Sequence, residues 1–517
     1  GTVTDATGHY FLKNLPEGNF ILEVSSVGYK TVTRNVTLKK GKTLEEDFEI
    51  EEDAIALDGV VVSANRSETT RRLAPTLVNV VDLKLFETTN SSTLSQGLNF
   101  QPGVRVETNC QNCGFQQVRI NGLDGPYTQI LIDSRPVFSA LSGVYGLEQI
   151  PASMIERVEV MRGGGSALFG SSAIAGTINI ITKEPLRNSG QLSHTITSLG
   201  GSSSFDNNTS LNASLVTDDH RAGLYIFGQN RHRSGYDYDG DGFTELPKLK
   251  NQTVGFRSYL KTSTYSKLTF EYHHMQEFRR GGDMLDRPPH EAHIAEQLQH
   301  SIDGGSLKFD YFSPDEKNRL SIFASAANTD RDSYYGPGND PLKAYGKTTD
   351  LTAMGGAQYV HTFDKCFFMP SDLTAGLEYN RDRLKDNMWG YDRHTDQTVN
   401  IYSAFLQNEW KNDRWGILIG GRLDKHNMVD NVIFSPRANL RFNPTQNINL
   451  RLSYSSGFRA PQAFDEDMHI ENVGGTVAMI ERAKNLKEEK SQSFSASADM
   501  YHRFGVFQTN FLIEGFY

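Results

Sequence analysis

Asn447-Ile448-Asn449-Leu450-Arg451-Leu452-Ser453-Tyr454 alternates polar and apolar residues at every step. A β-strand turns successive side chains to opposite faces, so this octet has one apolar and one polar face. The same texture fills the chain from about residue 187 to its end. Leu268, Phe270 and Tyr272 alternate with Lys267, Thr269 and Glu271, and Leu320, Ile322, Ala324 and Ala326 with Arg319, Ser321, Phe323 and Ser325. Phe494, Ala496, Ala498 and Met500 alternate with Ser493, Ser495, Ser497 and Asp499. Short turns at 313–318 and 443–447 join some segments, and long polar stretches near 273–300, 328–350 and 457–489 join others. Segments of about ten residues with short turns on one side and long loops on the other predict a mainly β fold, an antiparallel transmembrane β-barrel. Such a sheet must close on itself, because backbone polar groups cannot stay unpaired in hydrocarbon. A soluble β-sandwich or propeller is the competing architecture, but the sequence has no blade-length repeat.

Composition agrees with this reading. The 517 residues are 37% hydrophobic, with 46 Gly, 30 Phe and 21 Tyr but only 3 Trp. No run approaches the roughly 18 apolar residues of a membrane-spanning helix, yet dyad strands average out as polar and cross membranes all the same. A net charge of −10 argues against a nucleic-acid partner. Three cysteines, Cys110, Cys113 and Cys366, are too few for a disulfide scaffold. No nucleophile, base and oxyanion set comes together, so no enzyme is expected.

Upstream of the barrel the texture changes twice. Residues 1–50 read as short strands with turns at Asp5–Gly8 and Leu15–Gly18, a small β-sandwich domain. Residues 51–66 form an acidic linker leading into Leu57-Asp58-Gly59-Val60-Val61-Val62. That Val-rich run either closes the first domain as a strand or offers its backbone to a partner's sheet edge. Residues 67–185 mix strands and short helices. Strands are expected at 118–123, 129–133, 157–161 and 174–182, a helix start at 91–94 and a helical turn at 151–155.

The run Arg162-Gly163-Gly164-Gly165-Ser166-Ala167-Leu168-Phe169-Gly170-Ser171-Ser172-Ala173-Ile174-Ala175-Gly176-Thr177-Ile178-Asn179-Ile180-Ile181-Thr182-Lys183 strongly resembles the plug of TonB-dependent outer-membrane receptors. Val118–Gly122, Ile130–Asp133 and Ile155–Val160 carry the same resemblance, in the form seen in siderophore, haem and cobalamin receptors. The first fifty residues resemble the carboxypeptidase-D regulatory-like domain of Bacteroidetes receptors. Ser435-Pro436-Arg437, Ser455–Pro461 and Asn485–Glu489 resemble barrel motifs in the family's order. The resemblance implies a regulatory-like domain at 1–50, a linker with the TonB box at 51–66, an α+β plug at 67–185 and a barrel at 186–517. Family barrels have about 22 strands around a plugged lumen, so the chain reads as truncated at both ends.

The resemblance further implies active import without covalent chemistry or a required cofactor. The expected ligand is a scarce metal chelate: iron–siderophore, haem or cobalamin. TonB, working with ExbB and ExbD of the inner membrane, would pair with a TonB box at Leu57, Asp58, Val60, Val61 and Val62 on the periplasmic side. Two plug segments are expected to face outward: one with Cys110, Gln111, Asn112, Cys113 and Phe115, the other with Arg135, Phe138 and Tyr145. A cation among aromatic surfaces suits an anionic, ring-bearing chelate, while packing against the barrel wall explains the same residues. Glu159 and Arg162 are expected in a buried plug–barrel ion network. A glycan or peptide importer working with a surface lipoprotein, an adhesin and a TonB-linked sensor are the alternatives.

Three motifs invite metal readings. Cys110-Gln111-Asn112-Cys113 fits a disulfide in an oxidising compartment, two thiols without a role, contact with the ligand's metal, or zinc. Zinc wants four ligands, and no second pair is evident nearby. Asp237, Asp239 and Asp241 resemble the opening of a calcium loop, but Lys248 stands where such a loop has a bidentate Glu. An Asp/Gly-rich barrel turn accounts for the same residues. His290-Glu291-Ala292-His293 spaces its histidines three apart rather than four and follows two prolines, so solvated loop histidines are expected there and at His273-His274.

Overall fold

A computed structural model of the chain describes residues 10–12, 15–24, 32–50, 60–67, 69–136, 146–337, 344–473, 476–479, 481–483, 485–505 and 507–517. Leu57, Asp58, Phe138 and Tyr145 of the expected sites lie outside them.

The wall is a 15-stranded sheet running from Ser189–Ser198 to Phe507–Phe516, each strand antiparallel to the one before it. The small hairpin Glu471–Val473 with Thr476–Ala478 stands outside this order. Connections at 264–265, 367–368 and 446–447 are short, and those on the opposite side, such as 234–247, 283–293 and 460–488, are long. The burial pattern is inverted relative to a soluble sheet: Leu452 is 56% exposed while its neighbour Arg451 is 3% exposed. Leu377, Leu406 and Ile419 also point outward, and Arg231, Arg331 and Asp424 are buried. A sheet that is apolar outside and charged inside has lipid as its outer solvent. At the short-turn end Phe312, Phe367, Phe368, Trp415 and Phe507 are exposed, with Trp410 stacked on Phe368 at 5.8 Å and Trp415 on Phe442 at 4.3 Å. Such an aromatic girdle marks a membrane interface.

The strands outrun the sequence expectation. About 9–11 residues cross the hydrocarbon, yet Tyr345–Cys366 holds 22 and Asn318–Pro337 holds 20. The stretch 273–300, expected as a loop, is mostly strand, because Ser266–Gly282 and Ile294–Phe312 leave only 283–293 between them. Beyond the lipid both faces of a strand meet water, so the ladder continues while the apolar alternation stops.

Inside the wall sits the plug. Its sheet has the order Val78–Asp82, Ile155–Arg162, Gly176–Thr182, Thr128–Ile132. Only the last pair is parallel. Ile155, Val158, Val160, Ile178 and Ile180 pack with Leu94, Leu98 and Phe86 of two short helices. Asp82 caps the helix Leu83–Thr88 by accepting from the Leu85 N–H at 2.9 Å. Gly176 is required by close approach, since a Cβ there would lie 2.5 Å from the Met161 carbonyl oxygen. In the N-terminal domain the described residues form one antiparallel pair, Gly18–Val24 with Val32–Leu38, rather than the full sandwich expected.

Two substitutions test this architecture. Leu452→Arg is expected to cost about 2–4 kcal/mol for refolding into lipid vesicles, against almost nothing for Leu452→Phe. Equal stability of the Arg variant and the parent would sink the outward assignment of that face. Gly176→Val is expected to destabilise the plug by about 1–3 kcal/mol or more through overpacking, read as faster hydrogen exchange in 155–182.

Candidate functional site

Strands from Ala222–Arg233 to Phe507–Phe516 each touch the plug or the segment leading into it, so the wall curls around both. Because the inner face is largely polar, many of the contacts are hydrogen bonds and ion pairs. Glu148, on the short plug helix Gly146–Gln149, meets Arg279 at 2.8 Å, Arg233 at 3.0 Å and Arg231 at 3.3 Å. Asp206 pairs with Arg231 and Glu277 with Arg279, both at 2.6 Å, which balances the charge. Burial alone would raise the Glu148 carboxyl, but Arg233, with Arg279 and Arg231, outweighs it and holds the group down to about 2. Asp133 pairs with Arg257 at 2.6 Å, and Arg257 also meets Glu271 and Thr182.

The described part of the segment entering the plug, from Val60 to Arg66, is docked. Val60 and Val61 pair antiparallel with Thr70 and Thr69. The Val62 and Ser63 N–H groups both donate to Glu159 Oε2, at 2.9 and 2.8 Å. Asn65 donates to Glu409 at 2.6 Å, and Gln407 and Arg437 donate to the Asn65 and Ala64 carbonyls, both at 2.9 Å. Arg66, in the left-handed region at φ 61, pairs with Glu378 at 2.6 Å and lies 4.9 Å over the Phe405 ring. Val61, Ala64, Ala74 and Val78 form a small buried cluster beneath it.

Glu159 therefore does not reach the wall. Its partners are Val62, Ser63 and Arg157, a correction to the ion-network expectation. Arg162 does reach the wall, pairing with Glu514 on Phe507–Phe516. Asn179, opposite Glu159 in the plug sheet, donates to Ser63 Oγ and Ser134 Oγ, both at 3.0 Å, tying the entering segment to the turn at 133–135.

For Arg135 the structure selects the second of the two readings, packing against the wall. It is buried, with its guanidinium 4.8 Å over Phe323, five residues from the short-turn end of Asn318–Pro337. It packs against the wall low in the lumen instead of facing the long loops. A cation beside an aromatic ring looks the same in sequence whether the ring belongs to a ligand or to the wall.

The segment with the two cysteines lies at the long-loop end of the wall. Strands Val104–Cys110 and Phe115–Ile120 form a hairpin whose tip carries the two cysteines. Gln111 is exposed, but Cys113 and Phe115 are buried. The expected disulfide is not formed: Cys110 and Cys113 are hydrogen-bonded thiols. Cys110 Sγ lies 3.1 Å from Glu296 Oε2, and Cys113 Sγ lies 3.3 Å from His469 Nε2. His469 is 3.4 Å from Glu296, and its ring packs against Phe115 and Tyr335 with centroids 5.3 and 5.4 Å away. The hydrogen bond from Cys113 pulls Cys110 down to about 7 against its burial, with His469 adding to the effect. Burial would depress His469, but its bonds to Cys110 and Glu296 raise it to about 10. The wall makes room for the tip at Gly281, where a Cβ would stand 1.8 Å from the Asn112 carbonyl oxygen. Glu296 and His469 had no signal in the sequence, since they lie 186 and 356 residues from the cysteines they contact.

The acidic turn brings Asp237, Asp239 and Asp241 together with Glu245. Their carboxylates accept from the turn's own backbone: Gly240 and Gly242 N–H to Asp237 at 2.7 and 2.9 Å, Asp241 N–H to Asp239 at 3.2 Å, and Phe243 N–H to Asp241 at 2.8 Å. These are the bonds of an Asx-rich turn. His290 bonds Tyr345 at 2.9 Å and His293 bonds Asp283 at 2.6 Å, so this pair faces different partners. His273 is a wall residue on Ser266–Gly282, not the loop histidine expected.

Comparison with known proteins agrees with this architecture. Residues 174–517 match the family model described as TonB dependent receptor-like, beta-barrel, residues 70–177 the TonB-dependent receptor plug domain, and residues 1–62 a CarboxypepD_reg-like domain. The chain is similar to the vitamin B12 transporter BtuB of Vibrio vulnificus strain CMCP6, 25% identical over 424 residues covering 79% of this chain and 64% of that one. The protein of the same name in strain YJ016 is 29% identical over 237 residues, 40% of this chain and 39% of the relative. The chain thus spans less than two-thirds of the length of either relative. The siderophore receptor PirA from Acinetobacter baumannii shares the fold at a TM-score of 0.70 and 19% identity, over 85% of this chain and 70% of that one. A mutant of the ferric enterobactin receptor PfeA from Pseudomonas aeruginosa does so at 0.68 and 18%, over 84% and 70%. With the barrel model alone matching residues 174–517, well over half its length, the chain belongs to the TonB-dependent receptors of the outer membrane.

Proposed function

We propose that this protein imports a small metal chelate across the outer membrane, driven by TonB pairing with the segment at Val60–Val62. The observation that carries the reading is the double hydrogen bond from the Val62 and Ser63 N–H groups to Glu159. Those backbone donors are the groups a partner strand would need. While Glu159 holds them, the segment is sequestered; releasing them would present it to the periplasm. The polar seam between plug and wall supports movement of the plug, because buried ion pairs hold geometry more than they add net stability. The similarity to a vitamin B12 transporter, and the fold shared with siderophore receptors, support a small chelate over a glycan. The long-loop side would then be external and the N-terminal domain periplasmic.

Glu159→Gln removes a charge-assisted acceptor worth about 1.5–3 kcal/mol. Faster exchange of the Val62 and Ser63 amides is expected, by roughly ten- to hundredfold, together with tighter binding of a TonB fragment in the absence of ligand. Unchanged exchange would remove the latch. Val61→Pro deletes a ladder donor and is expected to abolish uptake while leaving ligand binding intact. Normal uptake by that variant would exclude this segment as the TonB box. Growth of a deletion strain on haem, an iron–siderophore or cobalamin as sole source tests the substrate class, and normal growth on all three would overturn it.

A further inference from the structure

Four donor groups meet where the plug tip touches the long-loop end of the wall. Cys110 and Cys113 come from the hairpin tip, Glu296 from the third residue of Ile294–Phe312, and His469 from the residue after the helical turn Asp465–Met468. One ligand atom from each lies within 4.8 Å of all the others. We infer that this Cys110–Cys113–Glu296–His469 cluster is a binding site for a bare divalent cation of the zinc class, which pins the plug tip to the wall.

Geometry is the first support. A tetrahedral zinc with bonds of about 2.3 Å to sulfur and about 2.0–2.1 Å to nitrogen or oxygen holds its mixed donors roughly 3.3–3.6 Å apart. The observed separations are 3.1 Å for Cys110 Sγ to Glu296, 3.3 Å for Cys113 Sγ to His469 and 3.4 Å for His469 to Glu296. Three of the six edges of the ligand tetrahedron are therefore in place to within about half an ångström, and the other three are no longer than 4.8 Å. Donor chemistry is the second. Two sulfurs exclude magnesium and calcium, which take oxygen. A carboxylate and an imidazole beside them suit zinc better than copper(I), which prefers sulfur alone.

The surroundings match as well. Phe115, Leu298, Tyr335, Met388 and Ile470 form a buried apolar shell with Cys113, of the kind that keeps water from a metal. Four protein ligands close a tetrahedral shell, as in structural zinc sites, leaving no open position for substrate. A metal still wrapped in its chelator has no free positions for four protein donors, so the site takes the bare ion. The inference does not rest on the transport reading, and its test involves no uptake.

The test uses the purified full chain in detergent, reduced, stripped with a chelator and titrated with Zn²⁺, with Co²⁺ as the optical probe. Expected are one ion per chain, a thiolate-to-cobalt charge-transfer band with intense tetrahedral d–d bands, and slower hydrogen exchange across 109–115 on metal addition. Cys110→Ser with Cys113→Ser should abolish the bands. Glu296→Gln or His469→Ala should weaken binding beyond the roughly 10–100-fold that loss of an outer-shell partner costs. Cys366→Ser should bind like the parent. Cobalt spectra without a charge-transfer band, an ion bound equally by the double-cysteine variant, or unchanged exchange at the tip would each overturn the site. Because the exchange measurement compares the parent with and without metal, a variant that fails to fold does not protect the proposal.

Discussion

Everything in this molecule follows from having lipid on one side of a sheet. Unpaired N–H and C=O groups cannot sit in hydrocarbon, so the chain crosses as a continuous hydrogen-bonded ladder. Each strand must then put its apolar residues outward, and the period of two sends every alternate residue inward. That is why Arg451 is buried one position from the exposed Leu452. A lumen lined in this way offers its plug apolar contact in two places, at Tyr225 and Phe227 and around Phe115, and polar contact over much of the rest. It holds it through groups such as Glu148 with Arg231, Arg233 and Arg279, and Asp133 with Arg257. The plug's own core is conventional, with Ile155, Val158, Val160, Ile178 and Ile180 buried together, and Tyr225 and Phe227 of the wall join it on one side.

The plug's two ends are built differently. At the long-loop end a hairpin tip meets Glu296 and His469 in a compact group of donors inside an apolar shell. At the other end the entering segment is held by its backbone, through Glu159, and by side chains reaching into the wall, through Asn65 and Arg66. Asn179 stands between, bonded both to Ser63 and to the turn at Ser134. That turn carries Asp133, which meets Arg257 of the wall. The path from the entering segment to the wall is thus a short chain of directional bonds, each lost if its neighbour shifts by an ångström or two.

Much of the architecture was legible in the residues. The plug strands were visible as β-branched runs bounded by Gly and Pro: 155–162 for an expected 157–161, and 176–182 for an expected 174–182. The wall was visible because lipid contact forces alternation on the sequence. The long connections were oversized, since alternation ends at the membrane surface while strands such as Tyr345–Cys366 continue. Arg135 was left between two readings because a residue's chemistry does not say which neighbour it meets, and here the neighbour is Phe323 of the wall.

By itself, then, the sequence determined the period of the wall, the strands of the plug, and through the run Arg162–Lys183 the family. These are local properties, written in spacing over about twenty residues or fewer. Only the tertiary structure decided which residues form sites. It turned Glu159 from an expected wall contact into the clasp of Val62 and Ser63. It brought Glu296 and His469 to a cysteine pair 186 and 356 residues away. Contacts at such separations are closed by the curvature of a fifteen-stranded sheet, to which no single segment of the chain contributes more than one strand at a time.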